Sequence, residues 1–540
     1  MKSLGHVAWM AAAVASAACL APSADHNQYG QRHTRNQVSA EKGLADDFDP
    51  GQRQSGTREV LLDSARNVRW SVRTGSETYG GPIVAGGRVY IGTNNSARLD
   101  DRHSGDRGVL LCLDEQTGKT LWRLFVPKLT SIRNADWWYV GLSSPPTVEG
   151  DRVYVVSNRA EVLCLDAKGQ ADGNDGPFTR EAEFVAADGE GVAQRKDDAD
   201  ILWRYDMVAE LNVSPHNASN GSVLIDGDLL YVCTSNGVEY THTRVPSPDA
   251  PSLIVLDKRT GRLVARDDEK TGRGLAHGQW SSPSMGTVNG RRLVFHAAGN
   301  GICYAFEPAP APPSSPSPSG AGLGVSSDRA ERAPKPTPPS EKPAWGCHRL
   351  KKVWQFAVYP DDPRPADGGP VPGGREKIHV IYGCPVLHEG KLYFAGTHDP
   401  WHSEREGKLV CVDPSGTGDI TKSGLVWSYD LGRCVGNVSV ADGLLYVGGE
   451  DGRVHCLDAK TGKPHWVHDT RGPIWGGGLL ADGKYYIGNG RRGFFIFRHG
   501  PKLELIRKIE LLPGAYNCPA AANGRLYVAS QENLYCIERK

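Results

Sequence analysis

One phrase of apolar and polar positions recurs along the chain. It opens on a proline, continues with an apolar pair, breaks at a glycine turn and resumes as a β-branched run around an aromatic residue. Pro82-Ile83-Val84-Ala85-Gly86-Gly87-Arg88-Val89-Tyr90-Ile91 and Pro146-Thr147-Val148-Glu149-Gly150-Asp151-Arg152-Val153-Tyr154-Val155 are two copies. Later copies centre on Tyr231, Val294, Tyr393, Tyr446, Tyr486 and Tyr527, which brings the number to eight. Two short runs rich in Val, Tyr and Leu across a glycine turn predict an antiparallel hairpin.

A second phrase follows the hairpin. Leu113-Asp114-Glu115-Gln116-Thr117-Gly118-Lys119-Thr120-Leu121-Trp122 is its first clear copy, and Leu256-Asp257-Lys258-Arg259-Thr260-Gly261 and Leu457-Asp458-Ala459-Lys460-Thr461-Gly462 repeat its core. It reads as strand, Asp-x-x-Thr-Gly turn, strand. The Asp carboxylate accepts from turn amides and the glycine takes positive φ. Each unit therefore supplies four strands, the content of one propeller blade. The landmarks Tyr446, Tyr486 and Tyr527 lie 40 and 41 residues apart, which matches bare four-stranded repeats. The prediction is an all-β chain, an eight-bladed β-propeller of four-stranded antiparallel blades. Val68-Arg69-Trp70-Ser71-Val72 reads as a last strand without its hairpin, and the final copy ends at Cys536-Ile537-Glu538 without a last strand. The early strand is expected to complete blade eight and remove an open edge.

Longer spacings mark insertions. Lys168 to Ala199 falls in blade two, Val238 to Ser252 in blade three, and Pro308 to Pro343 in blade four. The last is rich in Pro and Ser and reads as a disordered spacer. Residues 1–24 read as an export signal: Lys2, an Ala-rich apolar run from Val7 to Ala18 too short to span a bilayer, and an Ala15-Ser16-Ala17 exit. Cys19 follows a lipobox-like run that lacks the usual aliphatic residue, so lipid anchoring is the less favoured reading. Residues 25–67 are assigned to an N-terminal extension and 68–540 to the propeller. The expected location is periplasmic or extracellular.

Composition narrows the function. The chain has 62 Lys+Arg and 62 Asp+Glu, and this zero balance gives no electrostatic footprint for nucleic acid. No other stretch approaches transmembrane length, and a monomer is expected. Six of the 12 cysteines recur in apolar strand contexts (Cys112, Cys164, Cys303, Cys411, Cys456 and Cys536), which suits small buried residues. There is no Cys-x-x-Cys pair.

The L-D-x-x-T-G-x-x-x-W phrase and the Gly-turn-x-V-Y-V hairpin resemble the PQQ-like β-propeller repeat family, from about Val68 to Ile537. That family includes quinoprotein alcohol dehydrogenases and the outer-membrane-assembly lipoprotein of the Bam complex. The resemblance implies that Trp70, Trp122, Trp203, Trp354, Trp427 and Trp466, at the blade-ending position, dock between neighbouring blades. In blades three and seven that position lacks Trp. In the enzymes the resemblance implies a calcium-bound PQQ over the axis, stacked on a tryptophan under a vicinal disulfide. The chain has no Cys-Cys pair and no c-type haem site.

The segments entering each first strand are expected to point to the axis. They offer Trp280, Trp475 and Trp138 as stacking faces, Arg433 for a carboxylate, and His216 and Asn217 as further pocket residues. Carboxylates are sparse there, with Asp136 and Glu77 the main ones, which suits calcium badly. His216, His277 and His379 are candidate metal ligands or proton carriers; without a tight motif, satisfied structural histidines are the simpler reading, and no metal is assigned. Asp172-Gly173-Asn174-Asp175-Gly176 with Glu183 resembles part of a calcium loop, but Pro177 stands where glycine is needed, so an ordinary turn is expected. The favoured function is an exported, non-catalytic scaffold that binds a protein or small ligand. The alternative is a PQQ-dependent oxidoreductase acting on alcohols or sugars.

Overall fold

A computed structural model describes residues 25–186, 191–311, 347–362, 379–398 and 407–539. The expected signal, Cys19 and nearly all of the Pro-rich insert lie outside the described residues. The described chain is an eight-bladed β-propeller. Blade one shows the plan: Ile83–Ala85, Arg88–Asn94, Arg107–Asp114 and Thr120–Pro127 pair in order, all antiparallel. Blade eight takes its fourth strand from the other end of the chain. Val68–Arg73 pairs antiparallel with Asn533–Ile537, with Trp70 opposite Cys536. The ring closes as the pattern predicts.

Four blades depart from the four-strand plan among the described residues. Blade three gains His348–Arg349 and blade four gains Gly418–Asp419, each added in parallel at the outer edge. Blade five gains His379–Val380, and blade seven gains Val38–Ser39 beside its first strand. Added strands cap exposed edges, which otherwise offer unpaired backbone.

The third and fourth strands of every blade share one irregularity. The register shifts at Cys112/Leu113, Cys164/Leu165, Val255/Leu256, Ala305/Phe306, Cys411/Val412, Cys456/Leu457, Ile496/Phe497 and Cys536/Ile537. The residue before the shift faces the blade-ending position. Where that position is Trp, its partner is small: Cys112, Cys164, Ala305, Cys411, Cys456 or Cys536. Where it is Ala265 or Arg507, the partner is the larger Val255 or Ile496. The recurring cysteine is therefore the small member of a Trp pair, a packing requirement of close-packed cores. Cys303 is the exception, since it pairs with Phe356, two residues along from the Ala305–Trp354 pair.

Each indole also reaches the next blade. The Nε1–H groups of Trp70, Trp122, Trp203 and Trp354 donate to the carbonyls of Glu115, Ala167, Lys258 and Pro414 at 2.9, 2.9, 3.1 and 2.9 Å. Trp427 and Trp466 donate to Ala459 and Gly500 at 3.1 and 3.2 Å. All six acceptors lie in or beside the turn between the third and fourth strands of the following blade. Gly118 shows why that turn needs glycine: φ is +71°, and a Cβ there would lie 2.7 Å from Cδ2 of Trp70. Asp114 holds the same turn by accepting from the amides of Gln116 and Thr117 at 3.2 and 2.8 Å.

The N-terminal segment forms a belt across one end of the axis. Carbonyls of His26, Asn27, His33, Thr34 and Gln37 accept from the amides of Val84, Val148, Met285, Leu387 and Leu480, in the first strands of blades one, two, four, five and seven. The Asn36 side chain bonds both backbone groups of Val440 in blade six. Glu41 accepts from Gly524 in blade eight. Blade three is held by Arg35, whose fully buried guanidinium donates to the carbonyls of Ser222 and Val223, and also to Pro283 and Tyr29, at 2.8 to 3.1 Å. Burial pulls this guanidinium down to about 10, while four carbonyls replace its lost water. Farther on, Leu44, Ala45 and Phe48 fill the core between blades seven and eight, where the blade-ending Trp is missing.

Candidate functional site

The belt leaves one end of the axis open as a blind cavity of about 580 Å³. All eight lead-in segments line it, and Tyr29 of the belt lies on its floor. Small residues let neighbouring lead-ins approach closely. At Gly476 a Cβ would stand 2.6 Å from the backbone carbon of Asn517.

Aromatic rings form two walls. Trp475, Tyr516 and Tyr79, from blades seven, eight and one, are near-parallel. Trp475 and Tyr516 have centroids 4.5 Å apart at 22°, and Tyr79 lies 5.9 Å from Tyr516 at 14°. Across the ring, Trp280 of blade four stacks on Tyr382 of blade five at 4.6 Å and 21°. Offset stacks of this kind hold rings rigid. The Trp280 Nε1–H donates to Ala218 O at 3.2 Å. On the floor, Tyr29 accepts from Asn437 Nδ2 and lies 3.3 Å from Cys518 Sγ. Burial, followed by the nearby Cys518, pushes the Tyr29 hydroxyl well up, and burial pushes the Cys518 thiol up to about 12, so both are neutral.

The lining contains no Asp, Glu, Lys or Arg among the described residues. Asp136 is turned away to Lys128 Nζ at 2.5 Å and Asn158 Nδ2 at 2.8 Å. Glu77 accepts from the Tyr79 hydroxyl. A calcium-bound PQQ needs carboxylate oxygens for the metal and cations for its own carboxylates. The residues present do not fit that group.

The candidate residues from the sequence are therefore divided. Trp280, Trp475 and Asn217 line the cavity. His216 is buried immediately behind it. Trp138 is 68% exposed and its neighbour Trp137 enters the lining instead. Trp137 is held there by backbone hydrogen bonding to Asn217 at 2.7 Å. Arg433 pairs with Glu450 at 3.1 Å, outside the lining. His379 faces Asp362 and His398, away from His216 and His277. In the Asp172 loop, Asp172 pairs with Lys168 and Glu183 with Arg180.

Four contributors escaped sequence reasoning. Tyr29 arrives with the belt and His242 with the blade-three insert, while Tyr79 and Tyr516 lie four residues before the first strands at Ile83 and Ala520, the position that Trp280 and Trp475 hold before Ser284 and Leu479. Near the opening, Trp137, Trp138, Tyr139 and Tyr240 are all exposed, with the Arg133 guanidinium 3.9 Å from the Tyr240 ring centre. Exposed aromatics gathered in one place mark a contact surface.

A family model described as outer membrane protein assembly factor BamB matches residues 106–310, 351–473 and 405–497, together more than half of the chain. Two quinohemoprotein alcohol dehydrogenases of Pseudomonas putida are similar over short stretches. ADH-IIG is 33% identical over 123 residues, 21% of this chain and 16% of that protein. ADH IIB is 30% identical over 152 residues, 24% of this chain and 20% of that protein. The chain thus spans a fifth or less of the length of these curated relatives. Among solved structures, BamB from Moraxella catarrhalis is 14% identical with a TM-score of 0.49, covering 88% of this chain and 97% of that one. Quinohemoprotein alcohol dehydrogenase from Comamonas testosteroni is 15% identical with a TM-score of 0.42, covering 95% of this chain and 80% of that one. The chain belongs to the PQQ-like β-propeller repeat family, whose matching model carries the BamB assembly-factor description.

Proposed function

We propose that this protein is an exported, non-catalytic binding scaffold whose axial cavity receives a neutral, flat, largely apolar group. The observation that carries this reading is the lining: two aromatic walls and an aromatic floor without a charged side chain. Desolvating a charged ligand there would go uncompensated, whereas a flat ring gains stacking and burial on both sides. The exposed aromatics near the opening support contact with a larger partner carrying that group. The family description, which names an assembly factor, supports a binding role over catalysis.

Fluorescence titration with menadione, a neutral flat quinone, tests it against PQQ with calcium. Menadione is expected to quench tryptophan emission saturably, and Trp475→Ala to weaken it about tenfold, in line with one lost stacking face. Absence of saturable quenching would remove the cavity reading. Dye-linked alcohol oxidation on adding PQQ and calcium would replace the scaffold reading with the oxidoreductase one.

A further inference from the structure

Three imidazoles meet at the edge of the cavity from three separate segments. His216 belongs to the lead-in of blade three and His277 to that of blade four. His242 comes from the insert between the second and third strands of blade three. One ligand nitrogen of each lies within 4.8 Å of the others. The ring centroids are 4.5 Å apart for His216 and His242, 4.6 Å for His216 and His277, and 5.2 Å for His242 and His277. Three imidazoles bound tetrahedrally to one ion, at ~2.0–2.1 Å from each nitrogen, would have ring centres about 5 Å apart. The ring centres stand near that spacing, and the nitrogens, within 4.8 Å of one another, would close to about 3.3 Å around an ion.

The hydrogen bonds behind the rings select the coordinating atoms. His216 Nδ1 lies 2.8 Å from Val238 O. A carbonyl can only accept, so in the neutral ring Nδ1 carries the proton and Nε2 the lone pair. His277 Nδ1 lies 2.9 Å from the Tyr382 hydroxyl, which can accept in the same way. Ligating histidines are commonly oriented by such a bond from the opposite nitrogen. His242 is presented by a fastened loop. Its amide donates to Glu239 O at 2.9 Å, and the Glu239 carboxylate accepts from the amides of Thr241 and Thr243 at 2.8 and 3.1 Å. The set is all nitrogen, with no carboxylate among the described residues of the cluster. That chemistry suits zinc and its neighbours rather than calcium or magnesium.

We propose that His216, His242 and His277 bind one divalent transition-metal ion, zinc foremost, with its open coordination position towards the axial cavity. Three histidines leave a fourth position for water or a ligand donor. His242 and His277 border the cavity whereas His216 lies behind it, so that position faces the cavity. The ion would anchor an occupant through one nitrogen, sulfur or oxygen donor beside the aromatic walls. The site needs no occupant to form, so it stands or falls separately from the reading of the cavity as a slot for a flat group.

Cobalt titration of the chelator-stripped full chain tests the proposal. One equivalent of cobalt(II) is expected to give the visible bands of a four- or five-coordinate ion, and one equivalent of zinc to abolish them. His242→Ala and His277→Ala should each weaken binding about 100-fold, and Tyr382→Phe about tenfold through loss of ring orientation. His499→Ala, on a histidine paired with Asp442 on the surface, should change nothing. His242 lies on an insert outside the blade strands, so its variant keeps the ring, as an unchanged unfolding midpoint would verify. No cobalt bands at saturating metal, or bands that persist in His242→Ala, would overturn the site.

Discussion

Asn36 meets Val440 as one strand residue meets another. Its side-chain Nδ2 donates to Val440 O at 2.7 Å, and its Oδ1 accepts from Val440 N at 2.9 Å, across 404 positions of sequence. A side-chain amide has the same donor and acceptor as a peptide group, so it can complete a strand edge where the backbone of the belt turns away.

Asn36→Ala should cost about 1–3 kcal/mol, because both backbone groups of buried Val440 lose their partner. Urea unfolding would measure it. Asn36→Asp should also destabilise, since a carboxylate cannot donate to Val440 O. Stability equal to the parent in both variants would mean that the belt is not held at this point.

Trp70 and Gly118 should be coupled. Trp70→Ala is expected to cost about 3–5 kcal/mol by cavity formation and loss of the Glu115 contact. Gly118→Ala is expected to be costly when Trp70 is present, because the new methyl meets the indole, and less costly when it is absent. A double-mutant cycle should give a coupling of about 1 kcal/mol or more. Simple additivity would contradict the latch between blades eight and one.

His296 should make the fold acid-sensitive. It is fully buried, neither ring nitrogen meets a polar partner among the described residues, and burial lowers it to about 4. Above about pH 6.5 the ring is neutral folded or unfolded, and stability is full. As pH falls from there to about 4, the unfolded chain takes up a proton that the native ring refuses. The loss amounts to roughly 3 kcal/mol. His26, likewise lowered to about 4, adds to the fall, while Asp267, raised by burial to about 6, opposes part of it. His296→Phe should flatten the stability curve between those pH values relative to the parent. Parallel curves would contradict this.

Ten of the eleven described cysteines are buried and none forms a disulfide; Cys347 alone is partly exposed. Burial pushes the thiols of Cys112 and Cys303 up, away from the reactive thiolate. N-ethylmaleimide on the native protein should therefore label Cys347 among these eleven, and the other ten only after unfolding. Peptide mapping that found Cys164 or Cys456 labelled in the native state would contradict the packing of Cys against Trp.

Local chemistry made most of the ring legible in advance. The hairpin, the Asp-x-x-Thr-Gly turn and the blade-ending Trp each satisfy a requirement within a few residues, so they repeat in the sequence. The closing strand was readable because Val68–Arg73 lacks its own hairpin and Asn533–Ile537 lacks a fourth strand. The belt was not readable. Its partners lie in eight different blades, and no periodicity survives when His33, Thr34, Asn36 and Gln37 each serve a separate strand. The cavity was half legible for the same reason. Trp280 and Trp475 sit at repeat positions, but His242 rides on an insert, and Trp137 rather than Trp138 turns inward because of a backbone bond to another blade. Arg433 found a neighbour, Glu450, that the linear order does not announce.

The belt and closing strand also impose an order of events. Residues 25–73 precede every blade in the sequence, yet their resting places are complete only once Asn533–Ile537 has been made. During synthesis His26 and Asn27 can meet blades one and two early, but Val68–Arg73 must wait for nearly the whole chain. Contacts spanning more than 400 residues are slow to form. A chain halted before its last blade would have neither a sealed axis nor a latched ring. Closure of the ring is thus one late step that no earlier blade can take on its own.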